Sequence, residues 1–244
     1  MPDGLMPAQL AELRKYDTPT VCNVIELFAV RARTEGYMDR RIRACFPEMP
    51  SMVGYASTAT YRSSSPAPAG SVYATIDAQV AGFAELPGPA VVVFQDLDDP
   101  PTAATFGEVM CTCYQAFGAA GLITSGTGRD LEQVRALGFP AFADGAIASH
   151  GYAHLLESGV PVRVGGLTVR PGDLLHGDAN GVANIPGDIA ADVAAACADF
   201  VACEQVVLDY LRAGGATPRG LGQARAECTR RIEELGRRVR KAGR

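Results

Sequence analysis

Residues 90–138 read AVVVFQDLDDPPTAATFGEVMCTCYQAFGAAGLITSGTGRDLEQVRALG, and this stretch decides the fold. The apolar run 90–94 is short and lies between Pro89 and Asp96, as expected for a strand that is buried on both faces. Residues 121–124, GLIT, form a similar short apolar run. The stretch therefore predicts two buried strands.

Each predicted strand is followed by a predicted helix. Residues 106–117 have the composition of a helix that Thr105 could cap. A second helix is expected after the glycine-rich residues 126–128, with Val134 on its inner side and Gly138 at its end. Strand, helix, strand, helix is a βαβα core, which places the chain in the α/β class.

The segments before this core predict helices and one more strand. Residues 8–16 and 19–33 have helical periodicity and form a predicted N-terminal helical cover. Residues 52–61, MVGYASTATY, are small, apolar and β-branched, which is typical of a strand. The Ser/Pro/Ala-rich run 62–70 is expected to form a mobile loop.

The segments after the core predict a β layer and two helices. Short strand-like pieces separated by glycine turns occupy residues 160–164, 167–169, 174–177 and 181–185. A long amphipathic helix is expected to start after Pro186 and to run to about Arg212. Residues 223–244 are periodic and rich in Arg and Glu, so they form either a terminal helix packed on a neighbour or a frayed, solvated tail. We therefore predict one α/β domain, 1–212, and a C-terminal helical extension, 213–244.

Composition limits the classes of function. The chain has 244 residues, 48% hydrophobic and 20% charged, with a formal net charge of −5, so it can bury a core but carries no broad positive field. We expect no nucleic-acid binding and no membrane span, and a soluble cytoplasmic protein. Its seven cysteines are an odd count in mostly apolar segments, which indicates reduced, buried thiols.

The two lysines of the chain, Lys15 and Lys241, both lie near a terminus. A Schiff-base mechanism needs a desolvated amine in the pocket, and neither lysine is placed for that role. If the protein stabilises a carbanion or an enolate, the electron sink is expected to be a metal.

The glycine-rich turn 125–130, SGTGRD, is the strongest local signal of a functional site. Glycines there could let backbone amides approach an anion, Arg129 offers a bidentate fork for a carboxylate, and Asp130 offers a hard oxygen ligand for a metal. The alternative is an ordinary tight turn in which Asp130 only caps a helix and Arg129 is solvated. A dinucleotide fingerprint is excluded because Leu131 stands where its third glycine would be.

A second signal lies at the start of the preceding helix, in residues 105–110, TFGEVM. The backbone amides of Gly107, Glu108, Val109 and Met110 could bind a carboxylate, and the Glu108 side chain could act as a base or contact a metal-bound water. The alternative is that Glu108 only stabilises the helix dipole.

Together the two signals resemble a known family. Twenty residues separate Glu108 from Arg129, and this acidic-x20-Arg-Asp spacing resembles the signature of the 4-hydroxy-4-methyl-2-oxoglutarate aldolases, a family that also includes proteins described as regulators of RNase E. Further blocks that resemble the family lie within residues 17–190: TPTVCNVIE (18–26), MVGYASTAT (52–60), VRALGFPAFADG (134–145) and PVRVGGLTVRPGDLLHGDANGVANIP (161–186).

The resemblance implies roles for individual residues. Gly107 to Met110 would bind the carboxylate of a small 2-oxo acid through backbone amides, Arg129 would contact the substrate, and Asp130 would hold the metal. Glu108 would shuttle the proton, although it stands where the aldolases usually carry Asp. Asn23 stands where many relatives have Asp, so this chain lacks a carboxylate near the N-terminal helix.

The remaining polar candidates are weaker. His150 and His154 have the spacing of zinc ligands on a helix, but Gly151 interrupts them, so a loop or pocket-lining role is favoured over zinc. Asp178 and Asn180 of the HGDANGV block are expected to form a turn or to support the site indirectly rather than to bind as ligands. Asp96 is expected next to a pocket rather than in it.

The resemblance implies a divalent-metal-dependent carbon–carbon lyase. Mg²⁺ or Mn²⁺ would stabilise a pyruvate enolate, formed by retro-aldol cleavage of a 4-hydroxy-2-oxo acid or by loss of CO₂ from oxaloacetate. It also implies a compact swivelling β/β/α-type fold and a homotrimer with sites between subunits. The alternative is a non-catalytic, protein-binding regulator that uses the same fold. A methyltransferase activity is not supported, because no methyl-donor glycine motif is present.

Overall fold

The computed structural model describes residues 4–67 and 76–242, in which one sheet of eight strands dominates. Its strands, in chain order with the labels used below, are β1 (Arg43–Ala44), β2 (Met52–Arg62), β3 (Ala90–Asp96), β5 (Gly121–Thr124), β7 (Ala141–Ala143), β8 (His154–Ser158), β11 (Leu174–Asp178) and β12 (Gly181–Ile185). Two strand pairs lie outside it, β4 (Ala104–Phe106) with β6 (Thr127–Gly128) and β9 (Val162–Val164) with β10 (Leu167–Val169).

Seven helices accompany these strands in the described residues. They are α1 (Pro7–Leu13), α2 (Thr18–Phe28), α3 (Ile76–Ala81), α4 (Glu108–Ala116), α5 (Leu131–Ala136), α6 (Ala190–Arg212) and α7 (Pro218–Ala242). Short 3₁₀ turns occupy Gly82–Glu85 and Gly187–Ile189. None of these helices is both long and apolar enough to cross a membrane.

Strand β2 is the centre of the sheet. One edge pairs in parallel with β3, from Tyr55 opposite Ala90 onward. The other edge pairs antiparallel with β11 along its first half and with β8 along its second half. The parallel order β2–β3–β5–β7 brings the carboxyl ends of four strands to one edge, where α/β proteins commonly bind ligands.

The apolar run 90–94 is buried on both faces, as predicted. Val92 and Phe94 pack with Leu122 into a core shared with α4 and α5, whereas Val91 and Val93 pack on the opposite face with residues of the β9–β10 pair. A strand with cover on both faces has no solvated face, which explains why its sequence does not alternate.

The N-terminal helices are fixed to the sheet by His176, which is fully buried on β11. Its Nδ1 lies 2.9 Å from the Thr18 hydroxyl and its Nε2 lies 3.1 Å from the Leu13 carbonyl oxygen. Asp178 accepts a hydrogen bond from the Thr18 backbone amide at 2.8 Å. Burial lowers the pKa of His176 and so favours the neutral ring at these contacts.

Several predicted boundaries shift for local reasons. Helix α2 ends at Phe28 rather than at residue 33, because Ala29 adopts a left-handed conformation with φ 56°. The prediction that Thr105 caps the next helix is wrong. Thr105 is buried in β4, with its hydroxyl 2.9 Å from that of Thr124, and α4 starts only after Gly107. Of the predicted loop 62–70, residues 68–70 lie outside the described residues.

The C-terminal segment forms a helix, so the frayed-tail alternative is wrong. Helix α7 packs along α6 and buries Leu235 and Val239 in the core that α1 and α2 also share. The division of the chain at residue 212 stays a prediction.

The packing of α7 predicts a stability effect. Leu235 is 4% exposed, so Leu235→Ala should lower the free energy of unfolding by about 2–4 kcal/mol through lost burial and a residual cavity. Urea unfolding measures this change. The exposed Glu233 on the same helix gives the control, since Glu233→Ala should change it by less than about 0.5 kcal/mol. Equal effects of both variants would mean that α7 is not packed in solution.

Candidate functional site

The pairing of two short parallel strands brings the two predicted motifs together. Strand β4 leads through Gly107 into α4, and β6 leads directly to Arg129 and Asp130. Residues Ala104 and Phe106 pair with Thr127 and Gly128, and the Arg129 amide donates to the Phe106 carbonyl oxygen at 3.0 Å. The two motifs, which lie twenty residues apart in the sequence, are therefore in direct contact.

The Asp130 carboxylate lies at the amino end of α4. The Glu108 backbone amide donates to Asp130 Oδ2 at 3.2 Å. Among the described residues, no acceptor is found for the amides of Gly107, Val109 and Met110. The first turn of a helix leaves such amides without intrahelical partners, and the helix dipole favours an anion there. The arrangement can therefore receive a small carboxylate.

Gly107 keeps the space that Asp130 occupies. Its backbone is extended, with φ −158°, so no unusual conformation demands glycine. A Cβ at this position would lie 2.5 Å from Asp130 Oδ2, closer than real contacts allow, and a tight 3.2 Å from Arg129 Nε. Glycine thus lets both side chains take their present positions, and a larger residue would displace them.

Asp130 is held in a left-handed backbone conformation with φ 53°, which is uncommon for a residue other than glycine. Although it precedes α5, its side chain makes no capping hydrogen bond to that helix. Asp130 therefore does not cap α5, the helix that follows it. Its carboxylate turns toward α4 instead, with Oδ2 3.7 Å from Arg129 Nε.

A cleft opens where these elements meet. It is lined by Tyr61, Ala104, Thr105, Phe106, Gly107, Val109, Met110, Arg129, Asp130, His150 and Ala153. Five of the six predicted site residues are among them, and the sixth, Glu108, is exposed at the start of α4 and does not line the cleft. Asn23 on α2 is not part of the lining either.

The glycines of the 126–128 turn serve packing rather than anion binding, which corrects the sequence interpretation. The Gly126 amide donates to the Thr124 hydroxyl, and the Gly128 amide donates to the Gly145 carbonyl oxygen. A Cβ on Gly128 would lie 2.3 Å from the Phe106 ring. The amides that can receive an anion are those of α4.

The donor set fits a hard divalent cation better than zinc. The described residues contain no group of three or more His, Cys, Asp or Glu side chains placed to hold a metal. Mg²⁺ commonly binds through one or two carboxylates and keeps several waters, whereas structural zinc takes four protein ligands. Asp130, with a partly exposed carboxylate in the cleft, can supply the protein ligand that such a cation needs.

Two of the three histidines are structural. His154 is buried with Nδ1 2.8 Å from the Tyr152 carbonyl oxygen, and His176 binds α1 and α2 as described above. His150 is exposed and lines the cleft. The sequence could not place Tyr61 or Ala153 in the cleft, because β2 and the residues before β8 join it through long-range pairing.

Asp96 lies next to the cleft on the other side of the 125–126 turn. It is 7% exposed, and a Cβ on Gly126 would meet its Oδ2 at 2.6 Å. Oδ1 accepts the Asp98 amide at 3.0 Å, whereas Oδ2 has no hydrogen-bond partner among the described residues. Burial raises the pKa of Asp96 to about 6. Asp96 lines a separate cavity of about 440 Å³.

Comparisons with known proteins give one matching family model and several relatives. A family model described as RraA-like, Aldolase/RraA, matches residues 18–183, which is more than half of the chain. A Halalkalibacterium halodurans protein named "Putative 4-hydroxy-4-methyl-2-oxoglutarate aldolase" is 37% identical over 101 residues, covering 41% of this chain and 47% of that protein. The aligned segment thus spans about half the length of this curated relative.

Two solved structures confirm the predicted fold. An uncharacterized protein from Pseudomonas syringae pv. tomato superposes with a TM-score of 0.71 at 23% identity, covering 91% of this chain and 95% of that one. Streptomyces coelicolor RraAS2, described as an unusual member of the RNase ES inhibitor RraA protein family, gives 0.64 at 21% identity, covering 83% and 96%. Both likenesses concern the fold.

The buried Asp96 predicts a pH-dependent stability. Its folded pKa is raised above the unfolded value, so its contribution to stability is present while it is protonated and is lost as pH rises through about 6. Asp96→Asn should therefore raise the free energy of unfolding by about 1–2 kcal/mol at pH 7.5 and by much less at pH 4. Urea unfolding at both pH values tests this.

The exposed Asp188 supplies the matched control for that experiment. Asp188→Asn removes the same charge without burial and should change the free energy of unfolding by less than about 0.5 kcal/mol at either pH. A stabilisation by Asp96→Asn that is equal at pH 4 and pH 7.5 would contradict the assignment of the effect to ionisation.

Proposed function

Because the chain belongs to the RraA-like family, described as Aldolase/RraA, we propose that it is a divalent-metal-dependent carbon–carbon lyase acting on a small 2-oxo acid. The observation that carries the proposal is the meeting of Arg129, Asp130 and the amino end of α4 in one cleft. The name of the Halalkalibacterium halodurans relative, which refers to an aldolase, supports the same class of reaction.

The cleft offers groups for both the carboxylate and the C2 oxygen of such a substrate. The open amides at the start of α4 are suited to the carboxylate, and Arg129 adds a permanent cation with a planar fork. The same cation offsets negative charge that develops on the C2 oxygen when the C3–C4 bond breaks. Substrate binding and charge stabilisation thus use groups held by the backbone register of β4 and β6.

Asp130 is the residue proposed to hold Mg²⁺ or Mn²⁺. When bound, the cation would supply Lewis acidity toward the 2-oxo group. The backbone hydrogen bond from Glu108 to Asp130 Oδ2 orients the carboxylate without neutralising its charge. A carboxylate fixed in this way can bind a cation without first being reordered.

Glu108 is proposed to move the proton through a water. In retro-aldol cleavage a base takes the proton of the C4 hydroxyl group, the C3–C4 bond breaks, and the electron pair leaves a pyruvate enolate. In oxaloacetate decarboxylation the same enolate forms by loss of CO₂, and no hydroxyl proton is removed. Because the Glu108 side chain is exposed at the rim, a bridging water rather than direct contact suits its position.

A homo-oligomer, proposed to be a trimer, would cover an apolar surface beside the cleft. Val109 of α4 and Phe117, which directly follows α4, are 61% and 65% exposed, and they border an apolar groove together with Ile76 and Val80 of α3. Val109 also lines the cleft, so a subunit seated on this groove would lie next to the substrate. Burying such a patch is the usual reason that an apolar surface persists.

Pyruvate release tests the proposed reaction. With Mg²⁺ or Mn²⁺, a panel of 4-hydroxy-2-oxo acids and oxaloacetate should give pyruvate in a coupled assay, and exhaustive chelation should abolish the release. Activity that survives chelation, or a substrate adduct trapped by borohydride, would exclude the metal-dependent mechanism. No turnover of any substrate with either metal would favour the alternative of a protein-binding regulator.

Variants of the cleft separate the roles of its side chains. Arg129→Ala should lower kcat/KM by on the order of 10²–10³-fold. Arg129→Lys should recover only part of the lost kcat/KM, because an ammonium lacks the planar fork of a guanidinium.

Asp130→Asn should weaken metal affinity first, whereas Glu108→Gln should lower turnover while metal affinity stays nearly unchanged. Titration of metal against turnover for each variant distinguishes these effects.

The exposed Glu132 in the first turn of α5 provides the control for Glu108→Gln. Glu132→Gln makes the same chemical change one helix away and should leave turnover and metal affinity as they are. Full activity in folded Arg129→Ala, Asp130→Asn and Glu108→Gln proteins would show that the site lies elsewhere.

A further inference from the structure

His150 is the histidine that the fold leaves available for chemistry. His154 and His176 are buried with their rings bonded to backbone or hydroxyl oxygens, as described above. No hydrogen bond or ion pair to the His150 ring is found in residues 4–67 and 76–242. The ring is exposed, and His150 lines the same cleft as Gly107, Arg129 and Asp130.

The loop that carries His150 is fixed by the backbone on both sides. Before it, the Ser149 carbonyl oxygen accepts the Ala104 amide of β4 at 2.8 Å. After it, the Tyr152 amide donates to the Ser63 carbonyl oxygen at 2.9 Å, and the Ala153 amide donates to the carbonyl oxygen of His150 itself at 3.0 Å. These contacts hold the backbone of His150 beside the cleft.

Gly151 is the residue that permits this path. Its φ is +52°, and a Cβ there would meet the Ser63 carbonyl oxygen at 2.7 Å, so any other residue would be both strained and crowded. The chain therefore turns tightly against β2 directly after His150. The same turn excludes a helix through residues 150–154, which is why the two histidines do not form a zinc pair.

The proposed reaction needs a second proton transfer, for which no side chain has yet been named. After the C3–C4 bond breaks, C3 of the enolate must gain a proton before pyruvate leaves. Arg129 is a permanent cation and a poor proton donor, and Asp130 is assigned to the metal. Among the described side chains that line the cleft, His150 is of the type whose charge changes most readily near neutral pH.

We propose that His150 is a catalytic acid–base residue that delivers a proton to C3 of the pyruvate enolate, an inference that rests on the proposed lyase function. The imidazolium N–H bond breaks and a C3–H bond forms, the C2–C3 double bond becomes single, and C2 regains its carbonyl. The neutral imidazole takes a proton back from water. In the reverse direction the neutral ring removes a C3 proton from pyruvate, so the step can be observed without the full substrate.

Exchange of the methyl protons of pyruvate for deuterium isolates this step. In D₂O with Mg²⁺, the wild-type protein should exchange these protons, as followed by proton NMR. His150→Ala should slow the exchange by on the order of 10²-fold, as expected for loss of a positioned acid–base group. Added imidazole should restore about tenfold or more in the alanine variant, because the missing ring leaves space. It should restore little in His150→Gln, whose side chain fills that space.

Tyr152 supplies the matched control, because it lies in the same loop with a side chain that is 55% exposed. Tyr152→Ala should exchange at the wild-type rate, and circular dichroism should show all three variants folded. Wild-type exchange in a folded His150→Ala protein would overturn the proposal and leave the lyase function intact. Equal loss in Tyr152→Ala, with no rescue by imidazole, would also overturn it, since the loop and not the ring would then matter. A wild-type protein that neither exchanges pyruvate nor cleaves any substrate would instead overturn the proposed function itself.

Discussion

The parallel pairing of β4 with β6 is the constraint on which the site depends. It spans only Ala104 to Phe106 and Thr127 to Gly128, yet it decides which residues follow on each side. After β4 comes the amino end of α4, and after β6 come Arg129 and Asp130. A shift in this register would separate the Asp130 carboxylate from the Glu108 amide that now donates to it. Strand β4 is joined to β5 by the Thr105 hydroxyl, which donates to the Thr124 hydroxyl at 2.9 Å.

Two unfavourable features, a strained backbone and a buried carboxylate, lie close to the β4–β6 pair. Asp130 has a left-handed backbone, which costs on the order of 1 kcal/mol or more, and Asp96 lies buried with an oxygen that has no partner in the described part of the chain. Asp96 ends β3, in which Val91 to Phe94 are fully buried. Asp130 follows β6, which is paired with β4. Such costs persist only where neighbouring packing allows no relaxed arrangement.

The sequence predicts the strands and the paired motifs well, because these signals are local. The 121–124 strand has the predicted bounds, and the apolar run 90–94 lies within β3. The errors come from contacts between distant segments. Phe106 pairs with Gly128 instead of starting a helix, so α4 begins later than periodicity suggests. The 126–128 glycines were expected to receive an anion, but their small size serves contact with Phe106 and Asp96. Residues of the cleft wall such as Tyr61 and Ala153 carry no local signal at all.

In this architecture the residues that hold the fold differ from those proposed to carry out the reaction. A structural likeness therefore establishes the fold alone. The strands and helices around the cleft are held by backbone pairing, by glycines that allow close approach, and by buried apolar residues. Exchange of Arg129 or Asp130 would leave the β4–β6 hydrogen bonds and the core in place, because their side chains do not hold the strands. A relative could therefore keep the fold and lose the chemistry, or keep both. Superposition at 21–23% identity establishes the fold. A lyase would depend instead on Glu108, Arg129 and Asp130, and on the His150 ring that lines the cleft.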